Sequence, residues 1–245
     1  MTKTFITSEI LSKAGIVNAV SLRVLGKPDS FSMRRTAGEA EERNRQEFFA
    51  SLGFSPASAA RGEQVHGESI AVVENPGNYA ETDALVTEEK DLIVGVSIAD
   101  CVPILLYDRA GQRVAAVHAG WRGTAKKILA KTVEHLLRTG RSDPREIFAF
   151  IGPSAGVCCY EVGEEVVGNF SKDCYVDSER FGKYKLDLKR VNSTQLTESG
   201  VPVENIEVSK ACTICDENFH SHRRDGIASG RMLAVIGMKT QSSGF

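Results

Sequence analysis

Tryptophan occurs once in 245 residues and cysteine only six times. So few cysteines lie far below the density of a disulfide scaffold, which leaves free thiols as the expected state. No apolar run approaches ~18 residues, which excludes a transmembrane helix. Residues 1–12 hold one lysine, no long apolar segment and no small-residue cleavage site. That start does not read as a signal peptide, so a cytoplasmic chain is expected. No charge of one sign is in surplus: 30 basic residues face 32 acidic ones, a formal net charge of −2. This argues against a broad grip on nucleic acid or an anionic membrane and leaves room for a local basic pocket. Repeats, low-complexity tracts and long linkers are also missing. The expectation is a single domain over residues 1–245. With 42% hydrophobic and 25% charged residues, it is long enough for a sizeable core.

Periodicity supplies the elements. Residues 38–52 run from charged to apolar and stop at Gly53, a helix with a glycine end. Residues 70–73, 92–98, 103–107, 113–118, 147–151 and 231–236 are short β-rich runs. Residues 124–138 carry Ile128, Leu129, Val133, Leu136 and Leu137 at helical spacing, with Gly140 beyond the end. Strands and helices mix without regular βαβ alternation, so the expected class is α/β with a mixed sheet, layered in the manner of α+β folds. The loop Asp108-Arg109-Ala110-Gly111 reads as a four-residue hairpin connection. Setting Tyr107 opposite Gln112 predicts that Cys101 lies opposite His118, roughly 4.5–5.5 Å away.

Three segments place a metal-capable or nucleophilic side chain beside a strand end and a glycine or proline. They are Gln64-Val65-His66-Gly67, Ala99-Asp100-Cys101-Val102-Pro103 and His118-Ala119-Gly120-Trp121-Arg122-Gly123. Two imidazoles and a thiolate suit zinc, and three protein ligands leave a fourth position open, as in catalytic sites. A bound zinc lowers the pKa of its water to about 7. A metal-free Cys101–His118 nucleophile–base pair is the other reading of the same residues. A second set, Cys212, Cys215, His220 and His222, has the Cys-x2-Cys spacing of a zinc knuckle, with a His-x-His shorter than usual. Adjacent Cys158 and Cys159 read as packing residues. No Walker or dinucleotide-binding glycine motif is present.

These three segments resemble the laccase-domain, multicopper polyphenol oxidase-like family, whose members act as zinc-dependent purine nucleoside phosphorylases. Further matches are Ile151-Gly152-Pro153-Ser154-Ala155-Gly156, Cys159-Tyr160-Glu161-Val162-Gly163, Ser221-His222-Arg223-Arg224-Asp225-Gly226, Gly230-Arg231 and Asn44-Arg45. The likeness runs from about Gly15 to Met238. It implies metal ligands at His66, Cys101 and His118. It also implies a fold like the catalytic domain of cysteine-dependent deamidating toxins. The implied activity is phosphorolysis of adenosine, inosine and methylthioadenosine, with adenosine deamination as a companion. The chain departs from the family where Ser21-Leu22-Arg23 leads into Val24-Leu25-Gly26-Lys27-Pro28, without the usual double glycine.

Phosphate suits the arginine fork, and Arg23, Arg45 and Arg122 are the candidates. Asp100 is a candidate to orient a ligand or hold a proton at the catalytic trio. Trp121 is a candidate to stack on the base. Five histidines, one of them His135 on the expected helix, are too few for a full laccase copper set. A His-His-Cys site can still take up adventitious copper and give minor polyphenol oxidation. The rival function implied by some relatives is an amidase that edits muramyl-amino-acid nucleotides of cell-wall synthesis. The partners expected are purine nucleosides and phosphate, with no nucleic acid and no membrane.

Overall fold

The computed structural model describes residues 3–34, 38–138 and 141–240. Two six-stranded mixed sheets stack face to face. The first runs, in spatial order, Phe5–Ile6, Val17–Ser21, Met232–Gly237, Ile93–Ile98, Ala59–Gly62 and Gly77–Tyr79. The second runs Ile206–Val208, Ile147–Ile151, Val102–Asp108, Arg113–Ala119, Ala84–Thr87 and Ile70–Val72. A three-stranded sheet, Glu161–Gly163, Lys183–Leu186 and Tyr175–Asp177, stands beside them. The result is the expected mixed α/β single domain. Among the described residues no helix is long and apolar enough to cross a membrane.

Strand alternation explains the layers. Along Val102–Asp108 and Arg113–Ala119, Leu105, Tyr107, Val114 and Ala116 join the core between the two sheets, with Leu233 and Val235. Their neighbours Ile104, Leu106, Ala115 and Val117 point the other way. There they meet Ile128, Leu129, Val133 and Leu136 of the Ile128–Leu137 helix, and Leu188, Val191 and Leu196 of the Leu188–Glu198 helix. Both faces of the second sheet are therefore covered, and both strands are buried throughout. By the same period of two, Cys101 and His118 belong to the side that looks toward the first sheet.

Most expected elements form within a residue or two of their predicted ends. The Glu39–Ser51 helix ends as predicted, with Gly53 at φ +69° just beyond it. Two expectations need correction. The run 124–138 is not one helix. Trp121–Ala125 and Ile128–Leu137 are separated at Lys127, whose φ is +61°. The first must start directly after Gly120, whereas the second lays its apolar stripe on the sheet, and one left-handed residue turns the chain between them. Gly140, expected as the helix stop, lies outside the described residues.

The second correction concerns the hairpin. Asp108 is a strand residue paired with Arg113, so the loop is residues 109–112. Asp108 is fully buried, and its carboxylate accepts from the Gly111 amide at 2.9 Å and from the Arg113 guanidinium at 2.8 Å. That satisfied buried pair closes the hairpin two numbers away from the predicted register. His118 consequently faces Pro103. Continued by two residues, the register sets Cys101 against Gly120. A shift of two preserves the face, so Cys101 and His118 become diagonal neighbours on one side of the sheet.

Candidate metal centre and cavity

The chain changes sheets twice at one end of the stack. It leaves Ala59–Gly62 of the first sheet through the His66 loop and enters the second at Ile70–Val72. It leaves Ile93–Ile98 of the first and, through Asp100 and Cys101, enters the second at Val102–Asp108. His118 stands near the end of the hairpin strand that comes up beside them. The ligating atoms of His66, Cys101 and His118 all lie within 4.8 Å of one another. The two imidazole rings meet edge to face with centroids 4.9 Å apart.

Local backbone makes this approach possible. His66 has φ +58° and Asp100 has φ +92°, conformations that non-glycine residues adopt only when neighbours hold them. Gly120 separates Cys101 from His66: a Cβ there would sit 3.1 Å from Cys101 Sγ and 3.1 Å from His66 Cδ2. The absence of a side chain at 120 lets thiol and imidazole share the space.

Asp83, fully buried, holds the centre together and had no signal in the sequence. Its carboxylate accepts from His118 Nδ1 at 2.7 Å and from the amides of Val65, His66 and Gly67 at 3.2, 3.1 and 2.8 Å. Its carbonyl accepts from the His118 amide at 2.8 Å. Only the pairing of Ala84–Thr87 with Arg113–Ala119 brings Asp83 beside His118. Burial raises Asp83, but the His118 and Gly67 hydrogen bonds outweigh it and hold the carboxyl below its ordinary 3.8. Burial also pushes the Cys101 thiol up, yet the charge and hydrogen bond of His118, helped by His66, bring it down from 9.0 to about 6. For His118 burial lowers the value, while the Cys101 charge and the Asp83 hydrogen bond raise it to about 9. The donor set fits a zinc-class ion: two imidazoles and a readily ionised thiol converge, and Asp83 fixes the proton on Nδ1 of His118, leaving Nε2 to ligate.

The trio opens into a cavity of about 790 Å³ walled by Arg34, Arg61, Arg122, Arg223 and Arg231 together with Gln64, Trp121 and Tyr160. Arg122 stacks on Trp121 at 4.3 Å, and Arg223 lies over Tyr160 at 5.3 Å. Crowding of cations is felt: burial and the neighbouring Arg34 lower Arg231 below its ordinary value. Burial and the Cys101 charge push Tyr160 up to about 12.

Of the predicted residues, Asp100, Arg122 and Trp121 line this cavity with the trio. Both oxygens of Asp100 are engaged, one by the Thr213 hydroxyl at 2.6 Å and the other by the Arg223 amide at 2.7 Å. Asp100 therefore braces the rim. Arg23 lies in an adjoining cavity with His220 and Asp225, and Arg34 lines both spaces. Arg45 is buried on its helix, bonded to the Arg34 carbonyl and to Glu42. It braces the Arg34 backbone and does not reach the cavity. His222 lines the main cavity and His220 the adjoining one. Cys212 and Cys215 gather with Cys158 and Cys159, not with His220 and His222. Arg34 and Arg61 were missed because nothing in their spacing marks them. Arg223 and Arg231 stood in matched motifs without an assigned role.

Comparison with known proteins agrees with this architecture. The family described as multi-copper polyphenol oxidoreductase laccase matches residues 11–239. The chain belongs to that family. A purine nucleoside phosphorylase of Deinococcus radiodurans is 37% identical over 231 residues, 93% of this chain and 87% of the relative. A protein named adenosine deaminase RL5, from an unknown prokaryotic organism, is 44% identical over 161 residues, 63% of this chain and 61% of its own. The crystal structure of YlmD from Geobacillus stearothermophilus superposes with a TM-score of 0.89 at 31% identity, covering 98% of both chains. That of Bacillus licheniformis YfiH gives a TM-score of 0.89 at 29% identity and 97% coverage of both.

Proposed function

We propose that the protein is a cytoplasmic, zinc-dependent purine nucleoside phosphorylase. Its substrates in this reading are adenosine, inosine and methylthioadenosine, and adenosine deamination is a companion activity. The observation that carries it is the His66/Cys101/His118 trio, braced by Asp83 and opening into an arginine-walled cavity of about 790 Å³. Ligand pockets typically span ~300–1,000 Å³, so the cavity has room for a nucleoside and phosphate together. The names of the relatives support the same reading.

His66, Cys101 and His118 would hold the ion. When bound, it supplies Lewis acidity beside the substrate. The rest falls to the chain's own residues. A phosphate oxygen forms a bond to C1′ as the C1′–N9 bond breaks. The bonding pair leaves with the purine, which takes up a proton, and the products are a free base and a sugar 1-phosphate. Arg122, Arg223 and Arg34 supply the positive charge that gathers phosphate near C1′. Trp121 and Tyr160 offer flat faces to the base. Asp100 keeps the Arg223 segment in place through the bond to the Arg223 amide.

A screen of purified, metal-analysed protein with nucleosides, with and without phosphate, tests this. Base release that requires phosphate and disappears in Cys101→Ala together with the ion held by the His66/Cys101/His118 trio is the expected result. Zinc-loaded protein that releases no base from any purine nucleoside overturns it, and cleavage of a muramyl-amino-acid nucleotide instead would establish the amidase.

A further inference from the structure

Of the five thiols that take no part in the reaction proposed above, four gather in one place. Cys158 and Cys159 lie on the chain that follows Ile147–Ile151, and Cys212 and Cys215 on the chain that follows Ile206–Val208. Those two strands pair in parallel, and the bridge Ser154–Cys212 continues the contact into the loops. The four sulfur atoms all lie within 4.8 Å of one another, and all four cysteines are free thiols. Cys158 Sγ and Cys215 Sγ are 3.9 Å apart. A zinc–sulfur bond of ~2.3 Å gives a tetrahedron whose S···S edge is about 3.8 Å.

One of the four sulfurs, Cys212 Sγ, has surroundings that suit a thiolate. The Gly156 amide donates to Cys212 Sγ at 3.2 Å. Amides aimed at the first sulfur of a Cys-x2-Cys turn stabilise its negative charge as outer-sphere partners do. Gly156 leaves room for the cluster: a Cβ there would stand 3.0 Å from Cys212 Cβ and 3.2 Å from Cys158 Sγ. Lys189 adds a compensating cation near the cluster, its ammonium donating to the Ser209 and Ala211 carbonyls at 2.8 Å each. Cys158 and Cys215 are exposed, which fits entry of an ion from solvent and does not fit core filling.

We propose that Cys158, Cys159, Cys212 and Cys215 form a second, structural zinc site, closed by four thiolates. Binding releases the thiol protons to solvent as four Zn–S bonds form. The site ties the two loops together next to Thr213, whose hydroxyl holds Asp100 at 2.6 Å, so its role is to stiffen the rim beside Cys101. It goes beyond the phosphorolysis reading and is independent of it.

The test uses full-length protein purified under reductant without chelator. Metal analysis should give two zinc per chain in the parent, one in Cys101→Ala, and none when Cys215→Ser is added to Cys101→Ala. Cobalt(II) added to metal-free Cys101→Ala should give intense thiolate-to-cobalt absorption that the Cys215→Ser change abolishes. Cys215 is chosen because its side chain is exposed; Cys158→Ser serves as a second variant, and circular dichroism checks that each stays folded. A folded, reduced Cys101→Ala protein that takes up neither zinc nor cobalt overturns the proposal. So does unchanged metal content in both serine variants. Because the readout is metal on a background lacking Cys101, failure here leaves the phosphorylase reading standing, and failure of that reading leaves this one.

Discussion

Replacing Asp83 by Asn removes one charge and almost no volume, at the point where the centre is most dependent on acceptors. The carboxylate accepts four N–H groups: His118 Nδ1 and the His66 amide on one oxygen, the Val65 and Gly67 amides on the other. Asparagine has one acceptor oxygen and must turn its NH2 somewhere. Turned toward Val65 and Gly67, it leaves two donors facing a donor, at ~1–3 kcal/mol for each unsatisfied group. Turned toward His118, it forces the ring proton onto Nε2, the nitrogen needed for the metal. Either way we expect a stability loss of about 2–4 kcal/mol after local relaxation. Zinc affinity should fall ~10–100-fold, the usual effect of losing an outer-shell partner. Denaturant unfolding of the metal-free protein reads the first, and competition with a chromophoric chelator reads the second. Unfolding midpoint and zinc affinity both equal to the parent's would refute the role assigned to Asp83.

Other expectations follow from the same geometry. Gly120→Ala should stay folded but bind zinc more weakly, because its Cβ would press on Cys101 Sγ and His66 Cδ2 at 3.1 Å; chelator competition checks it, and full affinity would argue against the crowding. Arg122→Ala should retain its metal while its phosphate KM rises ~10–100-fold, the loss of a charged hydrogen bond of ~1.5–3 kcal/mol. Arg23→Ala, in the adjoining cavity, should leave that KM nearly unchanged; the reverse ranking in steady-state kinetics would move phosphate to the Arg23 side. In the metal-free protein, thiolate absorbance of Cys101 should titrate near pH 6, compared with 9.0 for an ordinary thiol. The signs of the linked stabilities are opposite. The depressed Cys101 contributes stability that is full above pH 9.0 and lost as pH falls through about 6. The raised His118 contributes stability that is full below pH 6.5 and lost as pH rises through about 9. The two slopes oppose each other between pH 6.5 and about 9, so metal-free stability should vary little with pH across that window in the parent. A steep parent profile across that window would contradict the pairing.

Much of this molecule is legible from residue order because it depends on local rules. Short β-rich apolar runs mark Ile93–Ile98, Val102–Asp108 and Arg113–Ala119 as strands. The residue types themselves select His66, Cys101 and His118, since few side chains bind soft divalent ions. Resemblance across most of the chain supplies the family. The register of the hairpin is not local: it turns on whether Asp108 belongs to loop or strand, and only its buried pairing with Arg113 decides that. Asp83 carries no spacing signal, because it reaches His118 by pairing of strands far apart in the chain. The arginines divide in the same way. Arg23, Arg45 and Arg122 are equivalent as charges in a sequence, yet the fold puts one beside the metal centre's cavity, one in the neighbouring space and one inside the protein. The four cysteines show it again, since Cys158 and Cys159 meet Cys212 and Cys215 only because Ile147–Ile151 and Ile206–Val208 are parallel neighbours. Short-range chemistry and periodicity are written residue by residue, whereas proximity between distant residues is a property of sheet order, and sheet order is set by how the whole core packs.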